Sequence, residues 1–212
     1  MTRAIAAAVV TGALLVAVGA VGLLRHPGGS APAARSLPLV NVGRLPSPSP
    51  PSSESVPARD RPSPGTPPPP GARLRIARLG VDAPVHRSGA DGHVLEVPRD
   101  PRDVGWWTGG AAPGASTGTV VVVGHVNYAG VRGALGVIGR AHPGDRVVLG
   151  AGREPIRYRV IAVRSYAKSA GLPADLFVRT GPPRLVLITC GGTFDAASGN
   201  YEANVVAYAV PV

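Results

Sequence analysis

Hydrophobic and polar positions change character twice along the chain. Residues 4–24 form an apolar run without a charge, AIAAAVVTGALLVAVGAVGLL. Residues 27–72 show no apolar period of any kind. From Arg73 onward, short apolar runs alternate with turn signals, the pattern of successive β-strands. RLRIARLGV opens the series, with Leu74 and Ile76 two apart and Leu79 less regular. A turn at residues 89–92 leads into HVLEVP, and Gly144-Asp145 turns into RVVLG. EPIRYRVIAVRSY alternates over a long stretch, with Ile156, Tyr158 and Val160 on one face. GTVVVVGHV and RLVLITC are nearly continuous apolar runs, and NVVAYAVPV closes the chain. VRGALGVIGR and LPADLFVR carry spacings suited to short helices, the first weakened by its glycines. Seven or eight strands in about 140 residues predict an all-β domain, a barrel or a sandwich.

The first third carries no comparable pattern. As a helix, residues 4–24 would extend about 31 Å, close to the thickness of a bilayer core. A cleaved signal peptide and an uncleaved anchor both fit. The length of the run and its ending in Leu23-Leu24-Arg25 favour the anchor. Fourteen of the 24 prolines lie within residues 27–72, which include SPSPPSS and PGTPPPPG. Such a segment buries too little apolar surface to fold and reads as an extended stalk. The expected organisation is an anchor or signal at 1–26, a disordered Pro/Ser-rich stalk at 27–72 and a folded domain at 73–212. It implies a single-pass protein at the cell membrane; the arginines flanking the run do not set its orientation, and a stalk suits a domain placed outside, at some distance into a cell wall.

Charge narrows the partners. The chain has 22 Lys and Arg against 12 Asp and Glu, a net charge of +10, and Lys168 is its one lysine. The arginines are scattered, only two Phe are present and no nucleic-acid-reading motif occurs, so nucleic acid is not an expected partner. An anionic wall or membrane surface suits the anchor and stalk better. The single cysteine excludes an internal disulfide. Five scattered His and one Cys offer no ligand-type spacing, so neither a metal nor another cofactor is expected.

Two positions carry candidate chemistry. His125 follows VVVVG directly and Cys190 follows LVLIT directly, each at the end of an apolar β-run. A strand end holds a side chain rigidly yet leaves it open to substrate. A thiolate nucleophile needs a neighbour that favours ionisation or moves protons, which a histidine within reach supplies. The two are 65 residues apart, so only the fold can unite them, and a packed cysteine beside an unrelated histidine is the plainer alternative.

The local sequences add to this. Val186-Leu187-Ile188-Thr189-Cys190 resembles the TLxTC signature of sortases, with Val186 in the place of the first Thr. TVVVVGHV resembles that family's histidine segment, and ALGVIGRAHPGDRV its following run. GWWTGGAAPGASTGTVVVVGHV and CGGTFDAASGNYEANVVAYA are most similar to the actinobacterial class F branch. The resemblance spans nearly all of residues 73–212. It implies a closed β-barrel of about eight strands with one or two short helices. It implies a cysteine transpeptidase that cleaves an LPxTG-like sorting signal of exported proteins. Cys190 would form the thioacyl intermediate and His125 would protonate the leaving amine. The acceptor would be an amine of a peptidoglycan precursor or of a pilin.

One departure stands out. The family places an arginine on the last strand, commonly within a YRDN-like run. Here the run is Tyr201-Glu202-Ala203-Asn204, so Glu202 occupies the expected place and Asn204 the alternative register. A carboxylate near a thiolate disfavours ionisation, and a missing cation removes a transition-state contact. Asn204 with the backbone N–H of Gly191 could form a weaker oxyanion site, or Arg132 or Arg179 could reach in from a loop. The other outcome is a weak or inactive barrel that serves as a wall-associated binding module. Two other cysteine enzyme classes fit less well. L,D-transpeptidases place His just before Cys, whereas Ile188-Thr189 precede Cys190, and papain-like proteases place Cys before His in the chain.

Overall fold

The computed structural model describes residues 39–46, 70–91, 94–152 and 155–212. The apolar run at 4–24, most of the Pro-rich segment, Gly92 of the expected turn and His93 of the expected HVLEVP strand lie outside the described residues. Among the described residues, no helix is long and apolar enough to cross a membrane.

Nine strands build one sheet. They are β1 (Asn41–Gly43), β2 (Arg73–Ile76), β3 (Val81–Ser88), β4 (Val104–Trp107), β5 (Thr119–Gly124), β6 (Arg146–Gly150), β7 (Ile156–Ala167), β8 (Arg184–Asp195) and β9 (Asn200–Pro211). Hydrogen bonding runs in the order β1-β7-β6-β2-β3-β4-β5-β8-β9, and β9 also pairs with β7. That last pairing closes β2 to β9 into an eight-stranded barrel and leaves β1 as an added strand on β7. The expected short helices are single 3-10 turns, Ile138–Arg140 and Ala174–Phe177.

The core explains the strand patterns. Leu74, Val85, Trp106, Val120, Val122, Leu187, Val205 and Ala207 meet inside the barrel. A second, smaller cluster of Val121, Val123, Val186, Ile188, Val206 and Tyr208 lies on the outer face, packed with Leu176, Phe177 and Trp107. β5 and β8 therefore bury both faces. They also pair in parallel, with Leu185 opposite Val120 and Ile188 opposite Val123. Strands covered on both sides read as continuous apolar runs rather than as alternation, which accounts for VVVV and LVLI.

Two strands lack a clear sequence signal. β3 alternates Val81, Ala83 and Val85 towards the core, but Asp82, Pro84 and His86 dilute the pattern. β4 is only four residues long. The expected HVLEVP strand reduces to Val94–Leu95, which pairs with Ala90–Asp91 outside the barrel.

β1 lies within the expected stalk, yet it pairs antiparallel with β7, Asn41 opposite Arg164 and Gly43 opposite Ala162. The Arg164 guanidinium donates to the carbonyls of Val42 and Gly43 at 2.5 and 2.7 Å. The Val40 N–H donates to Ser165 Oγ at 2.7 Å. Gly43 has φ +80°, and a Cβ there would lie 2.1 Å from the Ile161 carbonyl oxygen. Glycine is thus the residue that lets the arm approach β7 so closely. The Gly144-Asp145 turn is held by Arg78, whose hydrogen bonds keep the nearly buried Asp145 carboxyl below its ordinary range.

Candidate active site

The barrel brings His125 and Cys190 to the same end of neighbouring parallel strands. The β5–β8 register ends at Ile188 opposite Val123. Continued for two residues, it sets Thr189 beside Gly124 and Cys190 beside His125, one strand spacing of about 5 Å apart along the backbone. The Thr189 hydroxyl makes the first of these steps, donating to the Gly124 carbonyl at 2.9 Å. Side-chain alternation then places Cys190 on the outer face with Val186 and Ile188, and His125 on that face with Val121 and Val123.

Thr189 is 3% exposed, so its hydrogen bond is a buried one. Thr189→Val keeps the shape and deletes the donor. The expected loss is about 1–2 kcal/mol of unfolding free energy, because the Gly124 carbonyl loses a partner where water cannot replace it. Urea unfolding of wild type against Thr189→Val measures it, and equal midpoints would show that the bond does not tie the two strands.

Cys190 does not end its strand. β8 continues to Asp195 through a bulge between Gly191 and Phe194. Gly192 takes φ +80° in this bulge, a conformation that suits glycine. The bulge interrupts the ladder just past the thiol, and pairing with β9 resumes at Phe194 opposite Tyr201. Gly191 is buried and lies opposite Ala203. The thiol itself is half-buried and free.

Asn204 lies directly opposite Cys190 on β9, and Tyr166 of β7 lies directly opposite Asn204. Tyr166, Asn204, Cys190 and His125 therefore form one row across four strands. Glu202 sits two residues from Asn204 on the same face, exposed. It lines a groove of about 350 Å³ with Leu39, Asn41, Ser165, Gly192 and Thr193. Ser165, Ala167 and Ala203 of this groove alternate onto the face opposite to that of Cys190 and Asn204, so the arm walls a groove across the sheet from the thiol.

The His125 ring is half-buried, stacked on Tyr128 with centroids 5.0 Å apart. Its Nε2 lies 3.0 Å from the Pro98 carbonyl oxygen. A carbonyl only accepts, so this contact assigns the ring proton to Nε2 and leaves Nδ1 as the nitrogen that binds and releases a proton. No hydrogen bond joins His125 to Cys190 in this structure; the ring is bonded to Pro98 and the thiol to Lys168.

Neither loop arginine reaches the cysteine. Arg179 donates to the Gly109 carbonyl at 2.7 Å, and the adjacent Val178 carbonyl accepts from Thr119 N–H. Thr119 begins β5, so Arg179 lies at the opposite end from His125, about 20 Å away along the strand. Arg132 lies in the ribbon after His125, where it lines a separate pocket with Leu79, Asp82 and Arg102. The cation at the thiol is Lys168, just past the end of β7. Its Nζ lies 3.5 Å from Cys190 Sγ and hydrogen-bonds Asn200 Oδ1. The sequence reading registers Lys168 only as the single lysine; that singularity was the one signal available. Among the described residues, no cluster of three His, Cys, Asp or Glu could hold a metal ion.

The Sortase domain family model matches residues 74–212, about two thirds of the chain. Solved structures similar to this one include sortase C1 of Streptococcus agalactiae, with TM-score 0.51, 18% identity and 66% of each chain covered. Sortase E1 of Streptomyces coelicolor, solved with a tripeptide in the active site, has TM-score 0.50 and 20% identity over 66% of this chain and 86% of its own. Sortase A of Corynebacterium diphtheriae has TM-score 0.52 and 20% identity over 68% of this chain and 61% of its own. This chain thus spans about two thirds of the streptococcal enzyme's length. No curated protein matches the sequence. The similar structures carry the names A, C and E, so they identify the shared fold and do not single out the class F branch.

Proposed function

We propose, from the premise that this chain belongs to the sortase family, that it is a cysteine transpeptidase acting on a peptide sorting signal of exported proteins. The observation that carries this reading is the placement of Cys190 and His125 at the same end of two neighbouring parallel strands, where alternation sets both on one face. The tripeptide in the Streptomyces coelicolor sortase E1 active site supports a peptide substrate.

In the proposed reaction the Cys190 thiolate attacks a backbone carbonyl carbon. A C–S bond forms and the carbonyl electron pair moves onto oxygen. The His125 imidazolium gives its Nδ1 proton to the leaving nitrogen as the C–N bond breaks, and a thioester remains. An incoming amine, from a peptidoglycan precursor or a pilin, then attacks the thioester, the new C–N bond forms and the thiolate leaves. The His125 Nδ1 that lost its proton takes one from the incoming amine. Gly191, next to the bulge, and Asn204, directly opposite Cys190, are suited to donate hydrogen bonds to the tetrahedral oxyanion. Residues 4–24 would tether the domain to the outer side of the cell membrane.

The alternative, a wall-associated barrel without catalysis, draws on Glu202 at the expected arginine position. A free thiol with a cation at hydrogen-bond distance argues for chemistry instead. The full chain in detergent, incubated with a library of LPxTG-like peptides, is expected to gain a thioacyl mass on Cys190 that hydroxylamine removes. If Cys190 is readily alkylated by iodoacetamide yet no peptide acylates it, the transpeptidase reading fails and the binding module stands.

A further inference from the structure

A thiolate and a tetrahedral oxyanion both carry negative charge that must be met within a few ångströms. Arg179 is hydrogen-bonded to the Gly109 carbonyl, Arg132 lines a separate pocket, and Glu202 has the wrong sign. We infer that Lys168 is a catalytic residue of this site, the cation that stabilises the Cys190 thiolate and then the charge developing on the substrate oxygen. The inference rests on the cysteine-nucleophile reading above.

Three observations lead to it. The ammonium lies 3.5 Å from Cys190 Sγ, within hydrogen-bond distance for sulfur. The Asn200 side-chain oxygen accepts from the same ammonium and also from the Tyr201 N–H, so Asn200 is itself held in place. No salt bridge joins Lys168 to a carboxylate among the described residues, although the β7–β9 register brings it next to Glu202. An aspartate or glutamate partner would consume the charge; a neutral amide orients it and leaves it for the sulfur.

The fold delivers this lysine by a specific irregularity. Tyr158 and Val160 point into the barrel. Continued strictly, that alternation would point Tyr166 and Lys168 inward as well. The register shift between Val160 and Ala162 puts Ile161 and Ala162 both against the outer cluster and reverses the faces beyond. Tyr166 then packs outside, and Lys168 follows onto the face that carries Cys190. Elsewhere the chain uses arginine for every cation. A slender ammonium presents its charge at one point beside a sulfur, where a planar guanidinium needs more room.

The role makes no covalent change in Lys168. It stays protonated while the C–S bond forms and breaks. The test uses the full chain and two readouts. One is alkylation of Cys190 by iodoacetamide at pH 7, which reads the thiolate and needs no sorting peptide. The other is thioacylation by a sorting-motif peptide. Lys168→Met is expected to slow alkylation roughly tenfold and thioacylation about 100-fold. Lys168→Arg, which keeps the charge but needs more room, should fall between wild type and Lys168→Met in both rates. The double variant Lys168→Met with Glu202→Arg, which brings a cation back from β9, should recover part of the thioacylation lost in Lys168→Met. Circular dichroism confirms that each variant is folded.

Unchanged alkylation and thioacylation in folded Lys168→Met would overturn the inference. So would transfer of the acyl group onto Lys168 as a hydroxylamine-resistant amide in wild type, because a lysine that attacks the thioester acts as a neutral amine. If no peptide acylates even the wild type, the transpeptidase reading fails separately, while the alkylation rates still decide whether Lys168 supports the thiolate.

Discussion

His125→Asn lowers the rate of peptide thioacylation at Cys190 by about 10²–10⁴-fold, the usual contribution of a positioned acid–base group. The loss comes from the leaving group. An amine expelled without a proton is a poor leaving group, and in the proposed reaction the imidazole held by Pro98 and Tyr128 supplies that proton. Iodoacetamide releases iodide, which needs no proton, so alkylation of Cys190 should change far less in the same variant. An activated aryl ester should fall between the two. Cys190→Ala, which forms no adduct, sets the zero for all three reagents. Equal loss with peptide, ester and iodoacetamide would mean that His125 acts through the thiolate or the fold and not as the acid. Lys168 differs in this respect, because its removal should affect alkylation as well.

These two residues differ in how visible they are in the sequence, for a physical reason. His125 and Cys190 each follow an apolar run whose length and β-branching mark a strand buried on both faces. The position of a residue just after such a run survives small errors in strand boundaries. Lys168 follows an equally clear strand, but its facing depends on a single bulge near Ile161 that no turn residue marks. With period 2, one unnoticed insertion reverses every assignment after it. The extent of β8 is obscured similarly. Its ladder runs past Cys190 through Gly191-Gly192-Thr193, residues that by composition read as the start of a loop.

The docking of β1 shows a second kind of limit. Nothing within VNVG distinguishes it from the proline-rich residues around it. It is ordered by the Arg164 guanidinium, the Ser165 hydroxyl and the open edge of β7 left where β6 stops at its pairing with Arg159. All of these partners lie more than 110 residues further along, so local composition carries no trace of them. The same arm supplies Leu39 and Asn41 to the groove that Glu202 lines. The all-β class is more legible, because short alternating runs between turn signals mark successive strands, while the choice of a closed barrel over a sandwich comes from the resemblance.

Trp106→Ala is expected to cost about 3–5 kcal/mol of stability, the range for emptying a large aromatic site in a packed core. The ring is fully buried, among the largest side chains inside the barrel, and its Nε1 donates to the Ala111 carbonyl at 3.0 Å. For a folded domain of this size the corresponding drop in Tm is roughly 10–20 °C. Trp106→Phe refills most of the volume but leaves the Ala111 carbonyl without that donor, so its cost should be about 1–2 kcal/mol. Thermal unfolding followed by near-ultraviolet circular dichroism measures both. Trp106 pairs with Val122 on β5, two residues before Gly124, yet it faces the interior while His125 and Cys190 face outward. Trp106→Phe should therefore lower Tm without slowing iodoacetamide alkylation of Cys190 at 20 °C. A Tm within two or three degrees of wild type for Trp106→Ala would mean that the indole does not fill the barrel. Slowed alkylation in a fully folded Trp106→Phe would mean that the inner and outer faces of β5 are mechanically coupled, and the site could no longer be treated as resting on a rigid wall.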